Sequence, residues 1–127
     1  MSASEPLLLC DTTILVDVLR GHTPAVSFLN GYNGPLAIST LSAAELAAGT
    51  RAGESVSVGR LLSLFGPIPV SMPIAQLGGA YRGFYGQSHG TGLVDALIAA
   101  TAEIHDCVLA THNRRHFPMV QRLLQPY

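Results

Sequence analysis

Along the chain, short unbroken apolar runs alternate with stretches whose apolar residues recur every three to four positions. Leu7 to Cys10 is an apolar run of four that stops at Asp11, which suits a short buried strand. The following T-I-L-V-D-V-L-R, closed by Gly21, predicts a helix with a glycine stop, and a second short helix begins near Pro24. P-L-A-I-S reads as a second strand, and the Ala-rich segment from Leu41 to Gly49 as a helix. A turn at Gly53 to Ser55 leads into V-S-V-G-R-L-L-S-L-F, which has helical apolar spacing, and I-P-V looks like a third strand bounded by proline. Ile74 to Tyr85 predicts a helix loosened by Gly78, Gly79 and Gly83. G-Q-S-H-G-T-G then reads as a loop, Leu93 to His105 as a strong helix, and C-V-L-A-T as a fourth strand.

Short apolar strands separated by helices imply an α/β fold in which a small parallel sheet is covered on both faces. In such sheets, sites form beyond the carboxyl ends of the strands. Asp11 directly follows the first strand, and Thr111 and Asn113 stand at or just past the end of the fourth, so chemistry is expected there.

Composition narrows the picture. The length of 127 residues fits one domain over the whole chain, 1–127, with a full core. Charged residues are only 12%, about half the usual share of roughly 25%, which leaves surface for a partner chain or a second copy to cover. The net charge of −1 gives no global attraction to polyanions, so any nucleic-acid site must be local. All seven basic residues are arginines, and Arg114, Arg115 and Arg122 gather near the C-terminus with His112 and His116. Cys10 and Cys107 match no metal or redox spacing and read as buried thiols of a reducing, cytoplasmic protein. M-S-A-S-E-P lacks the basic start and apolar stretch of an export signal, and no apolar run approaches the ~20 residues that span a bilayer.

Of the eight acids, Asp11, Glu45 and Asp95 stand among apolar or small residues, where an unpaired carboxylate is costly. Each has a plain structural explanation: Asp11 as a helix N-cap, Glu45 as the far end of a capping box in S42-A-A-E45, and Asp95 as an acid at the positive end of its helix dipole. Taken together, one at a strand end and two in the first turns of helices, they are expected to converge on one cleft. Clustered acids repel one another unless a cation neutralises them, and hard oxygen donors suit Mg²⁺ or Mn²⁺. Such an ion can activate water and clamp a phosphoryl oxygen, which phosphodiester hydrolysis requires.

The series D11-T-T-I-L-V-D17, L41-S-A-A-E45-L, D95-A-L-I-A-A-T-A and L109-A-T-H-N-R-R-H-F117 resembles the PIN-domain ribonucleases, and among them the VapC-type toxins of bacterial toxin–antitoxin pairs. The resemblance runs in order from about Leu8 to Phe117. It implies a PIN-like three-layer α/β/α fold with a central parallel sheet of four to five strands. It also implies a Mg²⁺-dependent endoribonuclease, with Mn²⁺ able to substitute, a homodimer, and a cognate VapB-type antitoxin. Asp11, Glu45 and Asp95 match the family's three core acids. Where members often carry a fourth acid, this chain has Thr111, Asn113 and His116, which puts a second metal in doubt. On this reading Asp11 and Asp95 bind the metal directly, while Glu45 binds it through water or orients the nucleophile. Asn113 and Thr111 hydrogen-bond near it, and Arg114, Arg115 and His116 position RNA, with tRNA or ribosomal RNA as the implied target. Asp17 is expected on a different face from Asp11.

Three other readings compete. His112 and His116 offer metal-free acid–base cleavage of RNA. An aspartyl-phosphate domain is disfavoured by Thr13 where that chemistry wants a second Asp, and by the absence of lysine. A PIN-like domain that binds RNA or an antitoxin without cutting is the third. For the antitoxin contact, Val18 to Phe28 or Met72 to Tyr85 supplies a helix-binding groove.

Overall fold

The computed structural model describes residues 5–127, so the expectation drawn from the M-S-A-S start lies outside the described residues. Five parallel strands form one sheet in the order β3-β2-β1-β4-β5. They are β1 (Leu8–Cys10), β2 (Leu36–Ser39), β3 (Gly66–Ile68), β4 (Val108–Ala110) and β5 (Leu123–Leu124). Six helices connect them: α1 (Thr12–Leu19), α2 (Thr23–Gly31), α3 (Thr40–Ala48), α4 (Ser55–Leu62), α5 (Met72–His89) and α6 (Leu93–Ile104).

β1 sits in the middle of the sheet, which is why its sequence is continuously apolar rather than alternating. Successive side chains point to opposite faces. Leu9 joins Ile74, Ile98, Leu109 and Phe117 in the core under α5 and α6. Leu8 and Cys10 join Leu15, Leu29, Leu46 and Leu61 in the core under α1 to α4. The result is the three-layer α/β arrangement expected from the pattern. α5 and α6 pack closely because Gly78 has no side chain: a Cβ there would lie 2.6 Å from Leu97 Cδ2. Both cysteines are buried free thiols, with Cys10 pushed up to about 12 and Cys107 to about 11, chiefly by burial. Among the described residues no helix is long and apolar enough to cross a membrane.

Three boundaries differ from the sequence reading, the first being α4, which ends at Leu62 rather than running on through Phe65. The third strand is G-P-I rather than I-P-V, because Ile68 pairs with Ser39 at the end of β2. Pro67 is tolerated there because β3 is an edge strand. Gly86 to His89, read as loop, instead continues α5, which ends at Gly90 in the left-handed conformation (φ 67°) that glycine adopts without strain.

Candidate active site

The site lies beyond the carboxyl ends of β1 and β4. Asp11 leaves β1 in an extended conformation and caps α1, its Oδ1 accepting from the Thr12 amide at 2.8 Å. The capping explanation therefore holds, and so does the position at the sheet's active end. Asp11 Oδ2 accepts from the Thr111 hydroxyl at 2.8 Å, across a pair of strands whose register matches Cys10 with Ala110. Asp11 is 4% exposed and Thr111 is fully buried. Burial raises the Asp11 carboxyl above its ordinary range; the Thr111 and Thr12 hydrogen bonds oppose this, and the charges of Asp95 and Glu45 reinforce it. That Asp95 and Glu45 both act on Asp11 places the three acids in one electrostatic neighbourhood.

Glu45 arrives differently from the sequence reading. α3 starts at Thr40 and is capped by Ser39, whose Oγ accepts from the Leu41 amide at 3.1 Å. Ser42 is consequently inside the helix, where its buried hydroxyl has no hydrogen-bond partner among the described residues, and the expected capping box does not form. Glu45 falls in the second turn, exposed, and its Oε1 accepts from the Thr12 hydroxyl at 2.6 Å.

Asp95 occupies the first turn of α6, as expected, after a Gly92 N-cap that offers no side chain. Its Oδ2 lies 3.2 Å from His116 Nδ1 in the 3₁₀ turn Arg114–His116. Burial raises the Asp95 carboxyl, His116 opposes the rise, and the Glu45 charge adds to it. The backbone carbonyl of His116 accepts from the hydroxyl of Thr91, itself buried to 1% exposure.

The structure thus pairs Asp11 with Thr111, Glu45 with Thr12 and Asp95 with His116, with the three carboxylates within electrostatic range of one another. Asn113 contributes through its backbone N–H, which donates to Thr111 Oγ1 at 3.0 Å, rather than through its amide. Arg114 and Arg115 are exposed at the edge, with no carboxylate partner among the described residues. Asp17 accepts from the Tyr127 hydroxyl at 2.7 Å. Sequence reasoning missed Thr12 and Thr91. A hydroxyl one residue past a site carboxylate was the only hint of the first, and nothing in the local pattern marked the second.

The donor set suits a hard divalent cation. Each oxygen of Asp11 uses one acceptor position, a carboxylate offers about four in all, and Asp95 Oδ1 and Glu45 Oε2 have no partner among the described residues. The raised carboxyls of Asp11 and Asp95 are the electrostatic state that a nearby cation relieves. As they stand, no three His, Cys, Asp or Glu side chains among the described residues close into a cage, since Glu45 is turned to Thr12 and Asp95 to His116.

The family model described as PIN domain matches residues 8–123. The chain is 43% identical to Ribonuclease VapC10 of Mycobacterium tuberculosis over 124 residues, covering 95% of this chain and 93% of that one. It is 42% identical to Ribonuclease VapC19 of the same organism over 125 residues, covering 94% and 98%. Among solved structures, a toxin-antitoxin complex from Klebsiella pneumoniae superposes with a TM-score of 0.82 at 31% identity, covering 94% of this chain and 98% of the other.

Proposed function

The chain belongs to the PIN-domain family, and from that premise we propose that it is a metal-dependent endoribonuclease toxin, held in check by a cognate VapB-type antitoxin. The observation that carries this reading is Asp11, buried at the tip of the central strand with Asp95 and Glu45 close enough to raise its carboxyl. The ribonuclease names of the two mycobacterial relatives and the toxin-antitoxin title of the Klebsiella structure support it.

Asp11, Asp95 and Glu45 would hold a Mg²⁺ or Mn²⁺ ion, directly or through water. A bound ion of this kind polarises a phosphoryl oxygen and lowers the pKa of water. The remaining residues position these groups. Thr111 fixes Asp11, Thr12 holds Glu45 in reserve, and His116 occupies a free oxygen of Asp95. Arg114 and Arg115 stand at the edge to contact phosphates, which fixes register without reading sequence. Hydrolysis at this site leaves a 5′-phosphate and a 3′-hydroxyl on RNA, with tRNA or ribosomal RNA as the target class.

The antitoxin is assigned to the α2 side rather than to α5. There Glu5, Ser27, Phe28, Gly31, Tyr32 and Leu124 line a cavity of about 300 Å³. A homodimer accounts for part of the remaining low-charge surface.

Mapping RNA ends produced by partner-free protein in Mg²⁺ tests the reading. Wild type is expected to generate new 5′-phosphate ends that vanish in EDTA and in Asp11→Ala. Cleavage that persists in EDTA but disappears in His116→Ala would instead make the histidines the catalytic pair. Binding without cleavage in both Mg²⁺ and Mn²⁺ would make the domain a binding module.

A further inference from the structure

The hydroxyl of Thr111 holds Asp11, but the Thr111 backbone is held from the other side of the sheet. The register of β1 with β4 ends at Cys10 and Ala110, and the Thr111 amide donates to the Leu124 carbonyl of β5 at 3.0 Å. β5 is two half-buried leucines at the sheet edge, the kind of element that opens early in native fluctuations. Three residues on, Tyr127 crosses to α1, where its hydroxyl donates to Asp17 Oδ2 at 2.7 Å. Its ring meets that of His112 at a centroid distance of 4.4 Å and that of His22 at 5.5 Å. Burial raises the Tyr127 phenol and Asp17 raises it further, so the hydroxyl stays a donor.

These contacts close a circuit. From Asp11 the chain runs along α1 to Asp17, and Tyr127 joins Asp17 to His112. The neighbour of His112, Thr111, takes its backbone support from Leu124 and returns its hydroxyl to Asp11. Both partners of the Thr111–Asp11 bond therefore lie on one path, and Tyr127 is its link between the helix and the segment after β4. His112 adds a second reason for a link at this point. Its Nε2 is buried and has no hydrogen-bond partner among the described residues. A polar atom in that state gains by meeting water, so the segment that carries it favours an opened form unless something holds it shut. The Tyr127 ring packed on the imidazole supplies that hold.

We propose that Tyr127 is a positioning residue for the candidate site: anchored on Asp17 and packed on His112, it keeps the segment 111–113 closed and so keeps Thr111 on Asp11. Its action on the site passes through Thr111. The consequence for cleavage rests on the ribonuclease reading, whereas the consequence for the segment does not, and the test separates the two.

Amide hydrogen exchange read by mass spectrometry, on the full chain in EDTA, follows the segment without metal or RNA. Tyr127→Ala should speed exchange in peptides spanning 108–117 at least about tenfold, while peptides from α5 and α6 keep wild-type rates. Tyr127→Phe and Asp17→Ala, which keep or spare the ring and remove only the anchor, should each give a smaller rise, and combining them should add nothing further. In Mg²⁺, Tyr127→Ala should lower kcat for RNA cleavage about tenfold with KM unchanged. In a Thr111→Val background it should have no further effect, because the hydroxyl it acts through is gone. Should Tyr127→Ala fail to fold, the same readings are taken on Tyr127→Phe and Asp17→Ala. Wild-type exchange at 108–117, or exchange that rises equally throughout the chain, overturns the proposal. So does a loosened segment with an unchanged cleavage rate, or a rate loss that adds in full to that of Thr111→Val. If the segment loosens while wild type cuts no RNA, the clasp stands and the ribonuclease reading falls; if wild type cuts and Tyr127→Ala matches it in both exchange and rate, the reverse holds.

Discussion

At the ends of β1 and β4, Asp11 and Thr111 are buried and held by two strands in register; at the start of α6, Asp95 is half-buried and rests on His116 in a short 3₁₀ turn. The first region is a floor whose geometry is the geometry of the sheet. The second is a rim, whose partners come from loops and helix ends. Both carboxyls are raised by burial, but the floor answers with two hydrogen bonds to neutral groups and the rim with one contact to an imidazole. The difference teaches where chemistry and stability are coupled: a change in the floor should disturb both, and a change in the rim mainly the first.

The largest effect expected is on the floor carboxylate itself. Asp11→Ala should lower the initial rate of RNA cleavage at least ~100-fold, more than removal of a supporting group, for which 10- to 100-fold is typical. A smaller loss than that of His116→Ala would invert the ranking of floor and rim. Next comes Thr111→Val, which leaves Asp11 Oδ2 without its donor. It should slow cleavage by about 10- to 100-fold and destabilise the fold by about 1–3 kcal/mol in urea titrations, with Thr111→Ser restoring both. Loss of stability at an unchanged rate would reduce Thr111 to a structural role.

On the rim, Thr91→Val removes the donor to the His116 carbonyl and should cost about 1 kcal/mol while slowing cleavage only a few-fold. The smallest effect is a pH trend in metal-free protein. Because the Asp11 carboxyl is raised in the fold, the native state holds its proton to higher pH than the unfolded chain does. Stability therefore falls as pH climbs from the ordinary carboxylate value of about 4 through the raised one, and is level above it. Subtracting the denaturation profile of Asp11→Asn from that of wild type isolates this slope, and a difference that rises with pH would contradict the assignment.

Much of the floor was legible in the sequence. A four-residue apolar run ending in Asp11 and a matching run ending at Thr111 are strand signals with a polar stop, and the parallel alternation places both at one end of the sheet. The rim was less legible, because its contacts join residues with no periodic relation. Nothing in G-T-G or R-R-H marks the Thr91–His116 bond or the Asp95–His116 pair. Ser42, three residues before Glu45, imitated a capping box, but Ser39 caps the helix first. Gly86 and Ser88 looked like loop residues, yet α5 continues through them to Gly90. β5 is two half-buried leucines, too short to show a period, and exists because β4 offers Leu109 and Ala110 as partners.

The bond from Thr111 to Asp11 spans 100 residues of chain. A ribosome adding about 5–20 residues per second needs several seconds to travel that far. Throughout that time Asp11 and then Glu45 are already outside the peptidyl-transferase centre, without Asp95 for most of it and without Thr111 to the end. The nascent polypeptide therefore cannot close this bond until β4 has been made.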